Sequence, residues 1–410
     1  MVSGFFADAE SSIFAPMNVI LFDDPVIRVN LQPLTFTRPV AGIRIGTLTI
    51  AEKWARHLGV QPSFSTPEYL SKKYPARIGS DNYWINGALC PQPALVQAIR
   101  ALKTGEALRH GWQLLAIRTP HAEWSVTPTS FRELDEAVLI DQVWKIFQLN
   151  GQQIRADFGL LTTGRTSAPI SDKHTAVYNP SQVFLEEGVS TKAAILNAET
   201  GPIYLGRNAQ VQEGAIIRGP FSLGEESVVN MGGKMRGDTT VGPYCKVGGE
   251  VSNAVIFGFS NKGHDGFLGN SVLGEWCNLG ADTNTSNLKN NYDAVKLWSY
   301  ATNEFIDTGV QFCGLIMGDH SKAGINTMFN TGTVVGVSAN VFGAGYPRNF
   351  IPSFSWGGAG GLTTYQLNKA LETAERVMSR RSIPLDKIER DIMQHIFEQT
   401  ASYRLRDKNG

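Results

Sequence analysis

A six-residue repeat is the feature that most constrains the fold of this chain. An aliphatic side chain or methionine returns at every sixth position, and the unbroken series is Leu205, Val211, Ile217, Leu223, Val229, Met235, Val241 and Val247. Neither the 3.6-residue period of an α-helix nor the two-residue alternation of an ordinary strand produces this spacing. Three such hexads complete one triangular coil, so the repeat predicts a left-handed parallel β-helix over residues 203–356.

Small residues support the same prediction. They recur four places after the aliphatic residue, at Ala209, Ala215, Ser227, Thr239 and Cys245, where a coil corner is crowded. Glycine directly follows several of the aliphatic residues, as at Gly206 and Gly224. The 42 glycines of the 410 residues exceed the usual ~7% and suit an architecture with many tight turns.

The chain ahead of the repeat has a different pattern. Two strand-like runs, Asn18–Phe22 and Tyr83–Asn86, alternate with segments of helical periodicity. Helices are predicted over Thr47–Leu58, with Gly59 ending the helix, from Pro93 to about Lys103, and near Leu134–Leu149. Strands alternating with helices predict a small α/β domain over residues 17–165.

The remaining segments complete the predicted organisation. Residues 1–16 are weakly patterned and are interpreted as an N-terminal extension, and residues 166–202 as a linker and entry to the β-helix. Residues 357–410 have apolar stripes opposite charged faces and predict C-terminal helices over Thr363–Arg381 and Leu385–Tyr403.

Two stretches break the hexad register. The first is residues 251–267, which contain Asn261–His264, and the second is residues 285–316, which contain Thr285–Asn291 and Lys296. Insertions of this kind loop out of a solenoid and often carry function. We therefore expect both stretches to leave the β-helix and to contribute to a site.

Composition excludes several classes of protein. The 37 basic and 37 acidic residues give a net charge of zero, which argues against a nucleic-acid binder or a membrane-surface protein. No run approaches ~18 apolar residues, and the first residues lack the basic region of a secretory signal. The four cysteines have no CxxC spacing and are interpreted as reduced thiols of a cytoplasmic protein.

A more specific pattern follows the first break. His264 precedes Phe267-Leu-Gly, a hexad ends in Asn278-Leu-Gly-Ala281, and the run Thr283–Asn287 comes next. In order and spacing this resembles the acetyltransferase half of the bacterial bifunctional N-acetylglucosamine-1-phosphate uridylyltransferase/glucosamine-1-phosphate N-acetyltransferase family. With Phe22–Pro25 and Asn86–Pro91, the whole chain resembles a divergent Bacteroidetes-type branch, in which a shortened nucleotidyltransferase-like domain precedes the β-helix.

The resemblance implies roles for matching residues. His264 would be the general base that removes a proton from the sugar amine, a task that suits an imidazole because its ordinary pKa lies near working pH. Asn287 would act beside the acetyl group, and Ala281 would lie beside the pantetheine arm of acetyl-CoA. Asn278 would contact the sugar, and Arg236 would bind its phosphate.

The chain departs from the family pattern at two positions. Ser252 stands where the family has a lysine, and Phe267 stands where it has a substrate-contacting tyrosine. Lys296 or Lys289 would then replace the missing positive charge. These departures leave acyl transfer in place as the implied chemistry and leave the identity of the amino-sugar open.

The N-terminal domain lacks two expected features. The segment after the first strand reads Asp23-Asp24-Pro, without the glycine-rich loop that holds nucleotide phosphates, and Ala88 stands where a Mg²⁺-binding carboxylate is expected. Candidate nucleotide-binding residues are Asp23, Asp24, Arg38 and Arg44, which could equally be a capped strand end and surface cations. Mg²⁺ and UTP are expected only if this domain is active, and the metal ligands stay unassigned.

The leading interpretation is a cytoplasmic homotrimer that transfers acetyl from acetyl-CoA to the amine of an amino-sugar phosphate, with glucosamine-1-phosphate first, in UDP-N-acetylglucosamine biosynthesis. Uridylyl transfer by the N-terminal domain is left open. One alternative is a sugar-1-phosphate uridylyl- or thymidylyltransferase whose β-helix only oligomerises it. The other is a non-enzymatic trimeric scaffold.

Overall fold

The computed structural model of this protein describes residues 17–406. The predicted extension, residues 1–16, lies outside the described residues. The chain forms an N-terminal α/β domain, a parallel β-helix and a set of C-terminal helices. The predicted fold class is thereby confirmed, and the handedness of the β-helix stays a prediction.

A six-stranded mixed sheet in the order β2-β1-β3-β5-β4-β6 forms the centre of the N-terminal domain. Its strands are β1 (Asn18–Phe22), β2 (Ser63–Ser65), β3 (Asn82–Asn86), β4 (Glu106–His110), β5 (Gln113–Thr119) and β6 (Ser130–Glu133). β1 pairs in parallel with β2 and β3, so the carboxyl ends of these three strands share one edge. That edge is where open α/β sheets bind ligands.

Six helices surround this sheet, and they are α1 (Pro25–Asn30), α2 (Ile50–Leu58), α3 (Glu68–Ser71), α4 (Pro93–Arg100), α5 (Val143–Gln148) and α6 (Asn150–Thr162). α2 begins three residues later than predicted, because Thr49 and Glu52 form a capping box, and Gly59 ends it with φ 73°. A short 3₁₀ helix spans Val40–Gly42.

The predicted helix near Leu134–Leu149 is wrong in its first half. Residues 134–142 are not helical, because their backbone pairs with the segment after β3: Cys90 N–H donates to Val138 O at 2.9 Å, and Ile140 N–H donates to Ala88 O at 2.9 Å. Helical structure begins only at Val143 and then continues through α6.

Three parallel strand ladders form the faces of the β-helix. Face 1 contains Ala176–Tyr178, Ile195–Asn197, Ile216–Arg218, Lys234–Met235, Glu250–Ser252 and Phe267–Gly269, and Asn284–Thr285 pairs separately with Met328–Phe329. Face 2 contains Val183–Leu185, Ile203–Leu205, Phe221–Leu223, Thr239–Val241, Val255–Ile256, Val272–Leu273, Leu315–Met317, Thr333–Val335 and Phe350–Ile351. Face 3 contains Ser190–Thr191, Gln210–Val211, Val228–Val229, Lys246–Val247, Asn261–Lys262, Asn278–Leu279, Lys322–Ala323, Asn340–Val341, Ser355–Gly358 and the antiparallel Gly361–Thr364.

The hexad residues form the interior of the β-helix. All eight aliphatic or methionine positions of the unbroken series are buried, as are the five small corner residues. Successive coils approach so closely that a Cβ on Gly224 would lie 2.5 Å from the carbonyl carbon of Gly242, which explains glycine at that position. The repeat therefore predicted the core correctly.

The β-helix begins earlier and ends later than predicted. Its first paired strand is Ala176–Tyr178, inside the predicted linker 166–202, and its last strand is Gly361–Thr364. The first coils were missed because their partners lie nineteen to twenty-one residues apart, as in Ile195 with Ile216, and not at a multiple of six.

The N-terminal domain and the C-terminal helices cover one side of the β-helix. The face 2 strands Phe221–Leu223 and Thr239–Val241 are buried on both sides, because α6 packs against their outer surface, and α5 packs against Val272–Leu273. The C-terminal helices are α7 (Leu367–Ser379), α8 (Lys387–Gln399) and α9 (Ala401–Arg406), and α8 contacts α3. Within residues 17–406, the helices are all too short or too polar to cross a bilayer.

The two interruptions of the repeat differ in kind. Around residues 251–267 the coils become shorter: Phe221 pairs with Thr239, eighteen positions on, whereas Thr240 pairs with Val255, only fifteen positions on. The expectation that this stretch loops out is wrong, since it remains in the ladders with fewer residues per coil. The second stretch does leave the β-helix, as an antiparallel hairpin of Lys296–Ser299 with Glu304–Asp307.

An aromatic column lines the corner between faces 2 and 3. Tyr244, Phe259, Trp276 and His320 follow one another along the axis with ring-centroid distances of 5.2, 4.2 and 6.2 Å. Helix α7 packs on this column through Ala374 and Met378. The column thus fixes α7 beside face 3.

Candidate active site

A cavity of about 670 Å³ lies over face 3. His264, Asn278 and Ala281, three residues that the resemblance singled out, all line it. The end of α7 and the residues after it form the opposite wall, through Val377, Arg380 and Arg381. The cavity therefore lies between the β-helix and a C-terminal segment of the same chain.

His264 lies on a short turn, residues 263–266, between a face 3 strand and a face 1 strand. Its side chain is exposed and also lines a second, adjoining cavity of about 730 Å³. An imidazole in this position can exchange a proton with a bound molecule.

The floor of the cavity is a ladder of polar side chains from neighbouring strands. Lys246, Asn261 and Asn278 are paired in register, and Asn278 is paired with Lys322 on the following coil. Neighbouring strands lie ~4.8 Å apart, so the two lysines are ~14 Å apart with two amides between them. Asn261 Oδ1 finds no hydrogen-bond partner within residues 17–406.

The charge of this cavity is one-sided. Four cationic side chains line it, and they are Lys246, Lys322, Arg380 and Arg381, whereas the described lining residues include no aspartate or glutamate. The described contacts of these four show no ion pair: Lys322 Nζ donates to His320 O at 2.9 Å, and Arg381 Nη2 donates to Tyr244 O at 3.3 Å. Burial lowers the pKa of Lys322. Such a cavity attracts anions.

Sequence reasoning missed these four cations. Register could have identified the two lysines, because both occupy the residue before an inward-facing hexad position on face 3. The arginines could not have been found in this way, since only the docking of α7 on the aromatic column brings them to the cavity.

Arg236 lies on a different face from His264. It is exposed at the end of a face 1 strand, Nη1 lies 3.2 Å from Glu250 Oε1, and both residues line a separate groove with Ile195 and Ile216. Within one subunit, Arg236 and His264 therefore do not share a cavity.

The three other residues assigned from the resemblance also lie outside the cavity. Phe267 and Asn287 meet above Gly269, where an added Cβ would lie 2.5 Å from the phenyl ring and 2.7 Å from the Asn287 amide nitrogen. Asn287 Nδ2 donates to Asn270 Oδ1 at 2.8 Å. Lys296 is exposed on the hairpin. One subunit brings together His264, Asn278 and Ala281 and leaves these three elsewhere.

The two N-terminal aspartates are engaged in structural contacts. Asp23 accepts from Arg28 Nη1 at 2.5 Å and from Val40 N–H at 2.7 Å, and burial raises its pKa to about 6 despite these contacts. Asp24 caps α1, accepting from the amides of Val26 and Ile27 at 3.0 and 3.1 Å. The amides at this helix start are therefore already occupied.

The two N-terminal arginines are also engaged. Arg38 is buried and binds Asp319 of the β-helix through both terminal nitrogens, at 3.0 and 2.6 Å, with Glu275 at 3.1 Å. Arg44 Nη1 donates to Thr47 O at 2.5 Å, and its Nη2 lies 3.7 Å from Glu52. Arg38 thus joins the two domains.

A larger cavity, about 1010 Å³, lies at the carboxyl edge of β1 and β2. Helix α8 closes one side of it, and His395 of α8 stacks on Tyr69 at 4.1 Å. Asp23, Glu68, Asp391 and Glu398 line it against only Arg28 and Lys72, so this cavity is acidic overall. Among residues 17–406, no cluster of three or more His, Cys, Asp or Glu side chains could hold a metal ion.

Comparison with known proteins agrees with this two-part architecture. Residues 19–166 match the family described as "Sugar nucleotidyl transferase", which confirms a nucleotidyltransferase-like N-terminal domain. The match ends just ahead of the first coil of the β-helix.

Two relatives are similar over part of the chain. "Uncharacterized acetyltransferase YaiX" of Escherichia coli O6:K15:H31 (strain 536 / UPEC) is 37% identical over 144 residues, 34% of this chain and 61% of that protein. "Bifunctional protein GlmU" of Methanocaldococcus jannaschii is 34% identical over 87 residues, 21% of each chain. These similarities support the resemblance inferred from sequence, while the chain spans less than two thirds of either relative.

One solved structure, that of an Arabidopsis UDP-N-acetylglucosamine acyltransferase, aligns over 58% of this chain and 95% of its own at 15% identity. The TM-score of 0.25 is too low to add to the fold assignment, which rests on the strand pairing.

Proposed function

We propose that this protein transfers an acetyl group from acetyl-CoA to the amine of an amino-sugar phosphate, with glucosamine-1-phosphate as the first candidate acceptor. The observation that carries the proposal is the face 3 cavity, where an exposed histidine lies among four cations without a lining carboxylate. Both proposed substrates bear phosphate groups, and the acceptor bears an amine that needs a base.

His264 is the proposed general base. As the amine nitrogen attacks the thioester carbonyl carbon, the imidazole takes one proton from the nitrogen, a C–N bond forms and the C–S bond breaks. The sulfur leaves as the thiolate of coenzyme A, which is then protonated. General-base catalysis of this kind contributes about 10²–10⁴-fold in rate.

The remaining lining residues have binding roles in this proposal. Lys246, Lys322, Arg380 and Arg381 bind substrate phosphates, while Asn278 binds the sugar and Ala281 leaves room for the pantetheine arm. Phe267, Asn287, Arg236 and Lys296, which lie outside this cavity, keep their assigned roles only if a neighbouring subunit completes the site.

The proposed assembly is a cytoplasmic homotrimer. Supporting observations are the exposed apolar side chains on face 1, with Ile195 38% and Ile216 45% exposed, and four cysteines without disulfides. Trp276 is buried under α7 and is no candidate for the interface. Light scattering should give three times the subunit mass, and a monomer at micromolar concentration would contradict this assembly.

A second candidate activity is uridylyl transfer to a sugar-1-phosphate by the N-terminal domain. It is favoured by the family match and by a cavity at the sheet edge where such ligands bind. The predicted aspartates do not fit a Mg²⁺ site, because their oxygens already accept hydrogen bonds from Arg28 and backbone amides. We therefore expect this activity to be weak or absent.

One assay separates the candidates. Purified protein is given acetyl-CoA and glucosamine-1-phosphate, and released thiol is measured; UTP and Mg²⁺ are then added and UDP-sugar is measured. Thiol release that depends on the acceptor supports acetyl transfer. UDP-sugar without thiol release would favour a nucleotidyltransferase with a scaffolding β-helix, and neither product would favour a scaffold.

A further inference from the structure

A lysine occupies a position inside the β-helix that the repeat reserves for an aliphatic residue. Lys262 pairs in register with inward-facing Val247, and the next inward residue on face 3 is Leu279. Lys262 is only 1% exposed. Lysine is almost never buried to this extent unless its ammonium group has partners.

The partners are carbonyl groups of the turn that carries His264. Lys262 Nζ donates to His264 O and, at 3.0 Å, to Asp265 O. The aliphatic part of the lysine side chain therefore lies in the core, while its ammonium group is hydrogen-bonded to the turn.

The rest of the turn is fixed in the same way. Asn230 Nδ2 donates to Gly263 O at 2.7 Å, Glu250 N–H donates to Gly266 O at 3.1 Å, and Asp282 N–H also donates to Asp265 O at 3.1 Å. All four carbonyls of residues 263–266 thus accept hydrogen bonds, and Lys262 is the sole described donor to the carbonyl of His264 itself.

We infer that Lys262 is a positioning residue that holds the His264 turn in its working orientation. This inference rests on the proposed function, since it takes His264 as the base. Lys262 lines neither cavity that His264 lines, so it acts through the turn and not on the substrate. Burial lowers the pKa of Lys262 to about 8, so the position is unfavourable for the fold on its own.

The opposing effects on stability and activity make the inference testable. Lys262→Met restores an apolar residue to the hexad while removing the donor. We expect an unchanged or higher melting temperature, a kcat lowered at least tenfold and KM values for both substrates within about twofold. Val247→Met, at the paired inward position that contacts no turn carbonyl, is the control and should keep kcat.

A measurement that does not depend on catalysis separates this inference from the proposed function. The amides of Glu250 and Asp282 report on the turn, because they donate to the carbonyls of Gly266 and Asp265. Their hydrogen exchange should become at least tenfold faster in Lys262→Met and stay unchanged in Val247→Met. If the wild type transfers no acetyl group but the turn still loosens, the proposed function fails and the anchoring role stands.

Two results would overturn the inference. One is a folded Lys262→Met protein with wild-type kcat and wild-type exchange of the Glu250 and Asp282 amides. The other is a lowered melting temperature together with lowered activity in both Lys262→Met and Lys262→Leu. That result would mean that the lysine stabilises the core and does not position the turn.

Discussion

The face 3 cavity and the sheet edge of the N-terminal domain differ in how their charged side chains are partnered. Over face 3, four cations line a cavity whose described lining includes no aspartate or glutamate, while the carboxylates of Asp265 and Asp282 line the adjoining cavity. At the sheet edge of the N-terminal domain, Asp23 is bound to Arg28 and Asp24 caps a helix, while Arg38 binds the β-helix. The four cations of the first region form no ion pair among their described contacts, whereas Asp23, Asp24, Arg28 and Arg38 are already bound within the fold.

This difference indicates which charged residues serve ligand binding and which stabilise the fold. Like charges that gather without counter-ions repel one another, so such a cluster is unfavourable until a ligand supplies the opposite charge. Paired and buried charges lose their binding capacity for ligands, and removing one partner mainly destabilises the fold. The contrast therefore predicts loss of activity from changes in one region and loss of stability from changes in the other.

The largest expected effect is that of His264→Ala. Loss of the proposed base should lower kcat by about 10²–10⁴-fold, with KM and melting temperature nearly unchanged, because the side chain is exposed and its loss opens no cavity in the core. Steady-state kinetics with a melting curve measure both quantities. His174→Ala, at an exposed histidine just ahead of the first strand of the β-helix, is the matched control. A folded His264→Ala enzyme with near wild-type kcat would remove His264 from the mechanism.

Arg38→Ala tests whether the paired charges of the N-terminal domain stabilise the fold. It leaves the buried Asp319 carboxylate without its partner, and we expect a loss of about 3–5 kcal/mol in unfolding free energy, measured by denaturant titration. Arg109→Ala, which removes an exposed ion pair with Glu133, should change stability by less than about 1 kcal/mol. Unchanged stability in Arg38→Ala, with loss of nucleotide binding, would return Arg38 to the nucleotide-binding residues.

Acid should weaken the junction where the two regions meet. Burial lowers the pKa of His320 to about 3 from 6.5, so the unfolded chain binds a proton that the folded chain rejects. This contribution is present above pH 6.5 and is lost as pH falls from 6.5 towards 3, by about 3 kcal/mol near pH 4. The charged groups around His320 are Arg38, Lys73, Glu275, Asp319, Lys322 and Glu389.

His320→Phe provides the control for this pH dependence. Phenylalanine is tolerated at the equivalent corner position 259, where φ is 62°, close to the 61° of His320. As pH falls below 6.5, the stability of the wild type should therefore fall more steeply than that of His320→Phe. Parallel curves over that range would show that His320 contributes nothing to acid sensitivity.

The sequence predicted the repeating part of the molecule better than the contacts between its domains. The hexad series predicted the interior of the β-helix because each inward residue is set by the chain's own period, as at Leu205 and Val241. His264 and Asn278 line one cavity because the length of a coil fixes the spacing between them. Local periodicity is thus sufficient where neighbouring contacts come from neighbouring coils.

Long-range docking could not be predicted from periodicity. Arg38 binds Asp319, 281 positions away, and Arg381 reaches the face 3 cavity only because α7 packs on Trp276. The shortened coil near Val255 was interpreted as a loop, because a deletion and an insertion disturb the register of a repeat alike. Single-sequence patterns show which residues are charged but not which charges find partners.

A smaller change, in KM, should identify the residues that bind the substrate phosphates. Arg380→Gln and Arg381→Gln should each raise KM for a phosphate-bearing substrate about tenfold with little change in kcat, because a phosphate contact acts on ground state and transition state alike. Arg236→Gln, on face 1, is the comparison and should change KM by less than about threefold if one subunit holds the whole site. Varying glucosamine-1-phosphate and acetyl-CoA separately shows which phosphate is bound.

Arg376→Gln, on α7 shortly before Arg380 and Arg381, is the matched control, since Arg376 is exposed and pairs with Glu372. A large KM effect of Arg236→Gln, with none from Arg380→Gln or Arg381→Gln, would move the phosphate to face 1. Because Arg236 and His264 do not share a cavity in one subunit, that outcome would require a site completed by a neighbouring subunit.

The smallest expected effect is that of Asp24, and it tests the N-terminal edge directly. Asp24→Ala removes the side-chain oxygen that accepts from the amides of Val26 and Ile27, so we expect a loss of about 1 kcal/mol and unchanged acetyl transfer. Asp24→Asn keeps a capping oxygen but not a metal-binding carboxylate. It should restore most of the stability, because the Gln113 amide that donates to Asp24 Oδ2 at 3.0 Å can rotate and accept from asparagine instead. If the wild type forms UDP-sugar and Asp24→Asn loses that activity at unchanged stability, Asp24 is a metal ligand and this edge is a working nucleotidyltransferase site. Equal behaviour of wild type and Asp24→Asn in both assays leaves the aspartate as the cap of a six-residue helix.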